Sequence, residues 1–104
     1  AAFSEIYQVR LGSHGAADLS PVTMAAAAHF GIATHNVAIQ EYAPHPAQAN
    51  EVFPHEWSVK DGYLTPGDAP GLGVDIDEHL AQQFPYARAY LPISRRTDGT
   101  MGSW

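Results

Sequence analysis

Three ionisable side chains carry the chemistry that can be read from this sequence: His14, Asp18 and Glu41. His14 stands in Gly12-Ser13-His14-Gly15, Asp18 follows in the same stretch, and Glu41 comes directly after Asn36-Val37-Ala38-Ile39-Gln40. A neutral imidazole both donates and accepts hydrogen bonds. A carboxylate accepts them and, once protonated, donates one. Set together, such groups hold hydroxyls or pass protons. Each also has a plainer role open to it. Asp18 can cap a following helix, and Glu41 can be a solvated loop carboxylate.

The elements around these residues decide whether they meet. Ile6-Tyr7-Gln8-Val9-Arg10-Leu11 is rich in β-formers and predicts a strand ended by Gly12. Ser20-Pro21 predicts a helix start, with Ser as acceptor for the first free amides and Pro where no N–H is missed. That helix is expected through Phe30, with Gly31 as a left-handed stop. Its consecutive alanines, Ala25 to Ala28, leave no charged face, so packing on more than one side is expected. A second strand is expected over 36–40. Strand, helix, strand makes a βαβ unit with parallel strands and a right-handed crossover. Ligands gather at the carboxyl ends of such strands. His14 and Asp18 follow the first strand and Glu41 the second, so all three fall on one rim.

The remaining histidines point less clearly to chemistry. His29 is expected as a packed or surface residue of the helix, and His35 lies at the wrong end of its strand. His45 and His55 fall in a Pro-rich loop, Tyr42 to Pro54 and just beyond, and can face the rim. His79 is expected to be solvated. No His-Glu-x-x-His run is present, and the histidine spacing is not that of a zinc site. Gly71-Leu72-Gly73-Val74-Asp75-Ile76 lacks the third glycine of a dinucleotide loop and follows no strand.

Downstream, Asp61-Gly62 between Trp57-Ser58-Val59-Lys60 and Tyr63-Leu64 predicts a hairpin. A Pro/Gly loop is expected from Pro66 to Gly73. Asp75-Ile76-Asp77-Glu78 has the form of a capping box, and Ile76, Leu80 and Phe84 fall on one face of a short helix ending at Pro85. The tail, Tyr86 to Trp104, shows no periodicity.

The chain has 104 residues, 45% of them apolar and 15% charged, which is globular material. A net charge of -6 argues against nucleic acid as a partner. The absence of cysteine excludes a disulfide scaffold. No apolar stretch is long enough for a membrane span and no signal peptide opens the chain, so a cytoplasmic location is expected. Two parallel strands alone do not make a stable sheet. The chain therefore reads as the end of a larger α/β domain.

The stretches HGAADLSPV (14–22), HNVAIQEY (35–42), NEVFPHEW (50–57), DGYLTPGDAPGLGVDIDE (61–78) and FPYARAYLP (84–92) resemble the C-terminal part of the mannonate dehydratase group. That group includes the proteins called starvation-sensing and belongs to the enolase superfamily. The resemblance implies an α/β fold: the last βαβ unit of a modified TIM barrel over 1–42. A loop, hairpin, short helix and tail over 43–104 would then return to a capping domain. It implies dehydration of an acid sugar, D-mannonate or gluconate, to 2-keto-3-deoxy-D-gluconate. Magnesium (Mg2+) would be held by carboxylates upstream of this segment, and the acid and base would lie upstream too. The partners expected are the sugar acid, the remainder of the same polypeptide and further copies in a homo-oligomer. By motif, His14, Asp18 and Glu41 are similar to substrate-contacting residues. The family tail, D-G-T-M-W-N-W, is here Asp98-Gly99-Thr100-Met101-Gly102-Ser103-Trp104, with Gly102 in place of a pocket Trp. That departure leaves open a non-catalytic or regulatory member that binds a sugar acid.

Overall fold

A computed structural model describes residues 1–16, 18–88 and 95–102. Part of the tail expected to be aperiodic, 89–94 and 103–104, lies outside the described residues. The fold is α/β. Its centre is a parallel pair, β1 (Leu11–Ser13) and β2 (Val37–Gln40), joined through α2 (Pro21–Ala33). Gly12 lies opposite Ile39 and Ser13 opposite Gln40, with an irregularity between Leu11 and Gly12.

The first strand starts later than its propensity suggests. Residues Ala2–Ile6 form a short helix, α1, and the rings of Phe3 and Tyr7, one turn apart, meet tilted at 57° with centroids 5.2 Å apart. Gln8, with φ of 54°, then turns the chain. Tertiary pairing decides the strand: Leu11 N–H donates to the Asn36 carbonyl at 2.8 Å, and only from there is a partner strand in reach. Gly12 is thus inside β1 and does not end it.

Helix α2 begins where Ser20-Pro21 predicts, with Pro21 in the first turn. The Ser20 side chain caps no amide, however. Its Oγ lies 3.4 Å from Thr23 Oγ1, while its carbonyl accepts the Thr23 N–H. Gly31 is not the stop. The helix runs on to Ala33 and ends at an extended Thr34, because the reversal into β2 is made by the turn at His35-Asn36. Met24, Ala25 and Ala28 are buried on one face, but Ala26 is exposed.

The Pro-rich loop contains a helix of its own, α3 (Ala47–Val52), which starts directly after Pro46. The hairpin is as expected: β3 (Ser58–Lys60) pairs antiparallel with β4 (Tyr63–Thr65). Asp61 and Gly62 both take positive φ, 52° and 82°, the mark of a type I′ turn. Helix α4 (Glu78–Ala81) starts later than a box at Asp75 would place it. Asp75 is spent on the adjacent Ile76 N–H, and Asp77 caps the helix by accepting the Leu80 N–H at 2.9 Å. Ile76 therefore precedes the helix.

Trp57 is the junction of the small core. It packs with Met24 and Ala25 of α2, and with Leu64 and Val74 from the hairpin and the loop beyond. His55 stacks on its face at 3.9 Å, with the rings 6° from parallel, and does not face the rim. His29 is half-buried on α2, and His35 and His79 are exposed. Among the described residues, no helix is long and apolar enough to cross a membrane.

Candidate functional site

The carboxyl ends of β1 and β2 bring two of the three expected residues together. Parallel pairing sets Ser13 opposite Gln40, so the residues that follow, His14 and Glu41, leave the sheet side by side. His14 Nε2 lies 3.4 Å from Glu41 Oε2. The same oxygen accepts the Gly15 N–H at 3.0 Å. Both side chains remain open to solvent, at 75% and 57% exposure. They border a recess of about 440 Å³ lined also by Gly12, Ser13 and Ile39.

The backbone beneath the pair is laced tightly. Glu41 N–H donates to the Ser13 carbonyl, and Ala43 N–H to the Gly15 carbonyl. Gln40 Nε2 donates to the Ser13 and Glu41 carbonyls. Gly15 is buried, and a Cβ there would overlap the Glu41 carbonyl. Only glycine lets the two backbones approach this closely.

Asp18 makes no bond to the pair among the described residues. It is exposed, makes no hydrogen bond or ion pair among the described residues, and does not cap α2. His45, in the segment leaving β2, also does not face the recess. It is buried, with Nε2 2.7 Å from the Leu19 carbonyl. Sequence reasoning missed this contact and the Gly15 amide. The available signal was the alternation Glu41, Ala43, His45, with His45 between Pro44 and Pro46.

Among the described residues, no three His, Asp or Glu side chains converge on a point where a metal ion could sit. His14 and Glu41 supply one imidazole and one partly engaged carboxylate. Magnesium prefers an octahedron of oxygen donors, so this pair does not fit it. Elsewhere, the hydrogen bonds from the Thr100 hydroxyl and N–H hold the Asp98 carboxyl below its ordinary value, within the tail turn.

Residues 1–80 match the family described as enolase C-terminal domain-like. The chain belongs to that family. Within the enolase-like family, it is 60% identical over its whole length to a D-mannonate dehydratase of Caulobacter sp. (strain K31), covering 26% of that protein. It is 59% identical to a D-galactonate dehydratase family member of Streptomyces bingchenggensis (strain BCW-1), again over all of this chain and 25% of the relative. Among solved structures, an enolase from Pantoea ananatis with bound D-gluconate and Mg aligns with a TM-score of 0.77 and 41% identity. That alignment covers 82% of this chain and 20% of the other. The chain thus spans about a quarter of the length of the curated relatives it matches. The likeness bears out the α/β, enolase C-terminal-like fold that the sequence resemblance implies.

Proposed function

We propose that this chain is the C-terminal part of a magnesium-dependent acid-sugar dehydratase, and that His14, Asp18 and Glu41 contact the substrate. The observation that carries the reading is the His14–Glu41 pair on the carboxyl rim of two parallel strands. The names of the relatives, and the D-gluconate and Mg in the Pantoea structure, support the substrate class. On this reading the magnesium ligands and the acid and base belong to the preceding part of the polypeptide.

The chemistry of the pair suits a polyhydroxylated acid. A substrate hydroxyl in the recess can accept from His14 Nε2–H and donate to a Glu41 oxygen. Asp18 offers an acceptor to a further hydroxyl once a substrate bridges to it. The reaction removes the proton α to the carboxylate and expels the neighbouring hydroxyl as water, and the resulting enol becomes the 2-keto acid. Groups that hold the hydroxyls in register keep the leaving group aligned with the abstracted proton.

The test is to assay the whole protein with Mg2+ and D-mannonate, D-gluconate or D-galactonate, measuring 2-keto acid. Glu41→Gln and His14→Ala should each lower kcat/KM about tenfold to a hundredfold, the range for a lost charge-assisted hydrogen bond. Unchanged kinetics in both variants would sink the assignment. The change to Gly102 in the tail favours a second reading, a sugar-acid binder without turnover. Calorimetric binding of these acids with no 2-keto acid formed would establish it.

A further inference from the structure

The segment leaving β2 reads Glu41-Tyr42-Ala43-Pro44-His45-Pro46. Its alternate residues grip the connection from β1 to α2 at three points. Glu41 Oε2 accepts the Gly15 N–H at 3.0 Å. Ala43 N–H donates to the Gly15 carbonyl at 3.1 Å. His45 Nε2 lies 2.7 Å from the Leu19 carbonyl. A carbonyl only accepts, so this ring nitrogen carries the proton and donates. Alternation of this kind is the habit of extended chain. The prolines hold it there, because Ala43 and His45 each precede one and are driven away from helical angles. Pro44 lacks an N–H at a position that makes no bond to the β1–α2 connection.

His45 is anchored on its other side as well. Its ring stands edge-on to Trp57 at 5.9 Å, and Trp57 packs on Met24 and Ala25. Packing therefore presets the donor before Leu19 meets it. Its Nδ1 is buried without a partner among the described residues. An apolar ring would avoid that penalty, so packing alone does not explain an imidazole here. The Nε2 bond does. Leu19 N–H in turn donates to the Ala16 carbonyl at 3.1 Å, so the held turn lies directly between His14 and α2.

We infer that His45 is a positioning residue for the sugar-acid site. Through Leu19 it fixes where the connection bearing His14 and Asp18 stands relative to Glu41. It touches no substrate. The kinetic side of this inference rests on the dehydratase reading above; the structural side does not.

The experiment compares His45→Phe, which keeps the ring and loses the donor, with His45→Gln, whose amide nitrogen reaches about as far as Nε2. Both are made in the whole protein with Mg2+. Amide hydrogen exchange should quicken about tenfold at Gly15, Leu19 and Ala43, the bonded amides of this grip, in His45→Phe and stay unchanged in the hairpin. The KM for D-mannonate or D-gluconate should rise about tenfold with kcat changed much less. His45→Gln should restore both. If His45→Phe does not fold, His45→Asn, whose amide falls short of Leu19, takes its place. Unchanged exchange at those three amides, or no rescue by Gln, overturns the inference. The 2-keto acid assay of the unaltered whole protein separates the two readings. Should it form none from these acids, the dehydratase reading falls and exchange alone decides whether His45 holds the turn.

Discussion

Glu41 and Gly15 depend on each other at the level of single atoms. The Gly15 amide fixes one carboxylate oxygen, and the carbonyl of Glu41 occupies the space where a Gly15 side chain would stand. The obstacle is backbone, which cannot swing aside as a flexible side chain can. Gly15→Ala should therefore cost about 1–3 kcal/mol, the usual range for overpacking. Thermal melting of the whole protein checks this, and a cost under about 0.5 kcal/mol, the level of an ordinary surface change, would contradict it. Because the same shift moves Glu41 away from His14, activity should fall along with stability.

At the scale of elements, two helix starts look alike in sequence and differ in fact. Ser20 precedes α2 and Asp77 precedes α4, and both residue types favour that position. Only Asp77 accepts a helix amide. Replacing Asp77 by Ala should cost about 1 kcal/mol, whereas Ser20→Ala should cost less than about 0.5 kcal/mol. Urea unfolding of the two variants compares them directly, and equal losses would contradict the assignment. The difference arises because Ser20 Oγ faces Thr23 Oγ1, and the first turn of α2 is set by Pro21 and by packing. The hairpin is the opposite case. Asp61-Gly62 alone specifies the turn, since few other pairs accept positive φ at both positions.

For the whole molecule, burial is the deciding quantity. A self-contained domain of this length has a radius of gyration of about 13 Å, and this chain has 17.4 Å. Among the described residues, the buried apolar side chains are Pro21, Met24, Ala25, Ala28, Val52 and Trp57, while Ile6, Ile32, Ile39 and Tyr63 are each at least 69% exposed. The two parallel strands have no neighbours beyond each other among the described residues. Expressed alone, residues 1–104 should melt without cooperativity, bind a hydrophobic dye such as ANS and turn over no acid sugar. Scanning calorimetry and the 2-keto acid assay check these together. A sharp calorimetric transition for the isolated chain would show that the exposed faces need no cover.

Local chemistry was legible without the fold. Residue order alone specifies the I′ turn at Asp61-Gly62, the start of α2 at Pro21 and the βαβ order that sets His14 beside Glu41. Each rests on backbone rules or chain connectivity that act within a few residues or one crossover. Tertiary structure alone decided the rest. It shortened the first strand to the residues that reach β2, carried α2 past Gly31 and placed α3 in the Pro-rich loop. It also turned His45 inward onto Leu19. These outcomes depend on which distant partner satisfies a hydrogen bond or covers an apolar face, and residue order does not encode that distance locally.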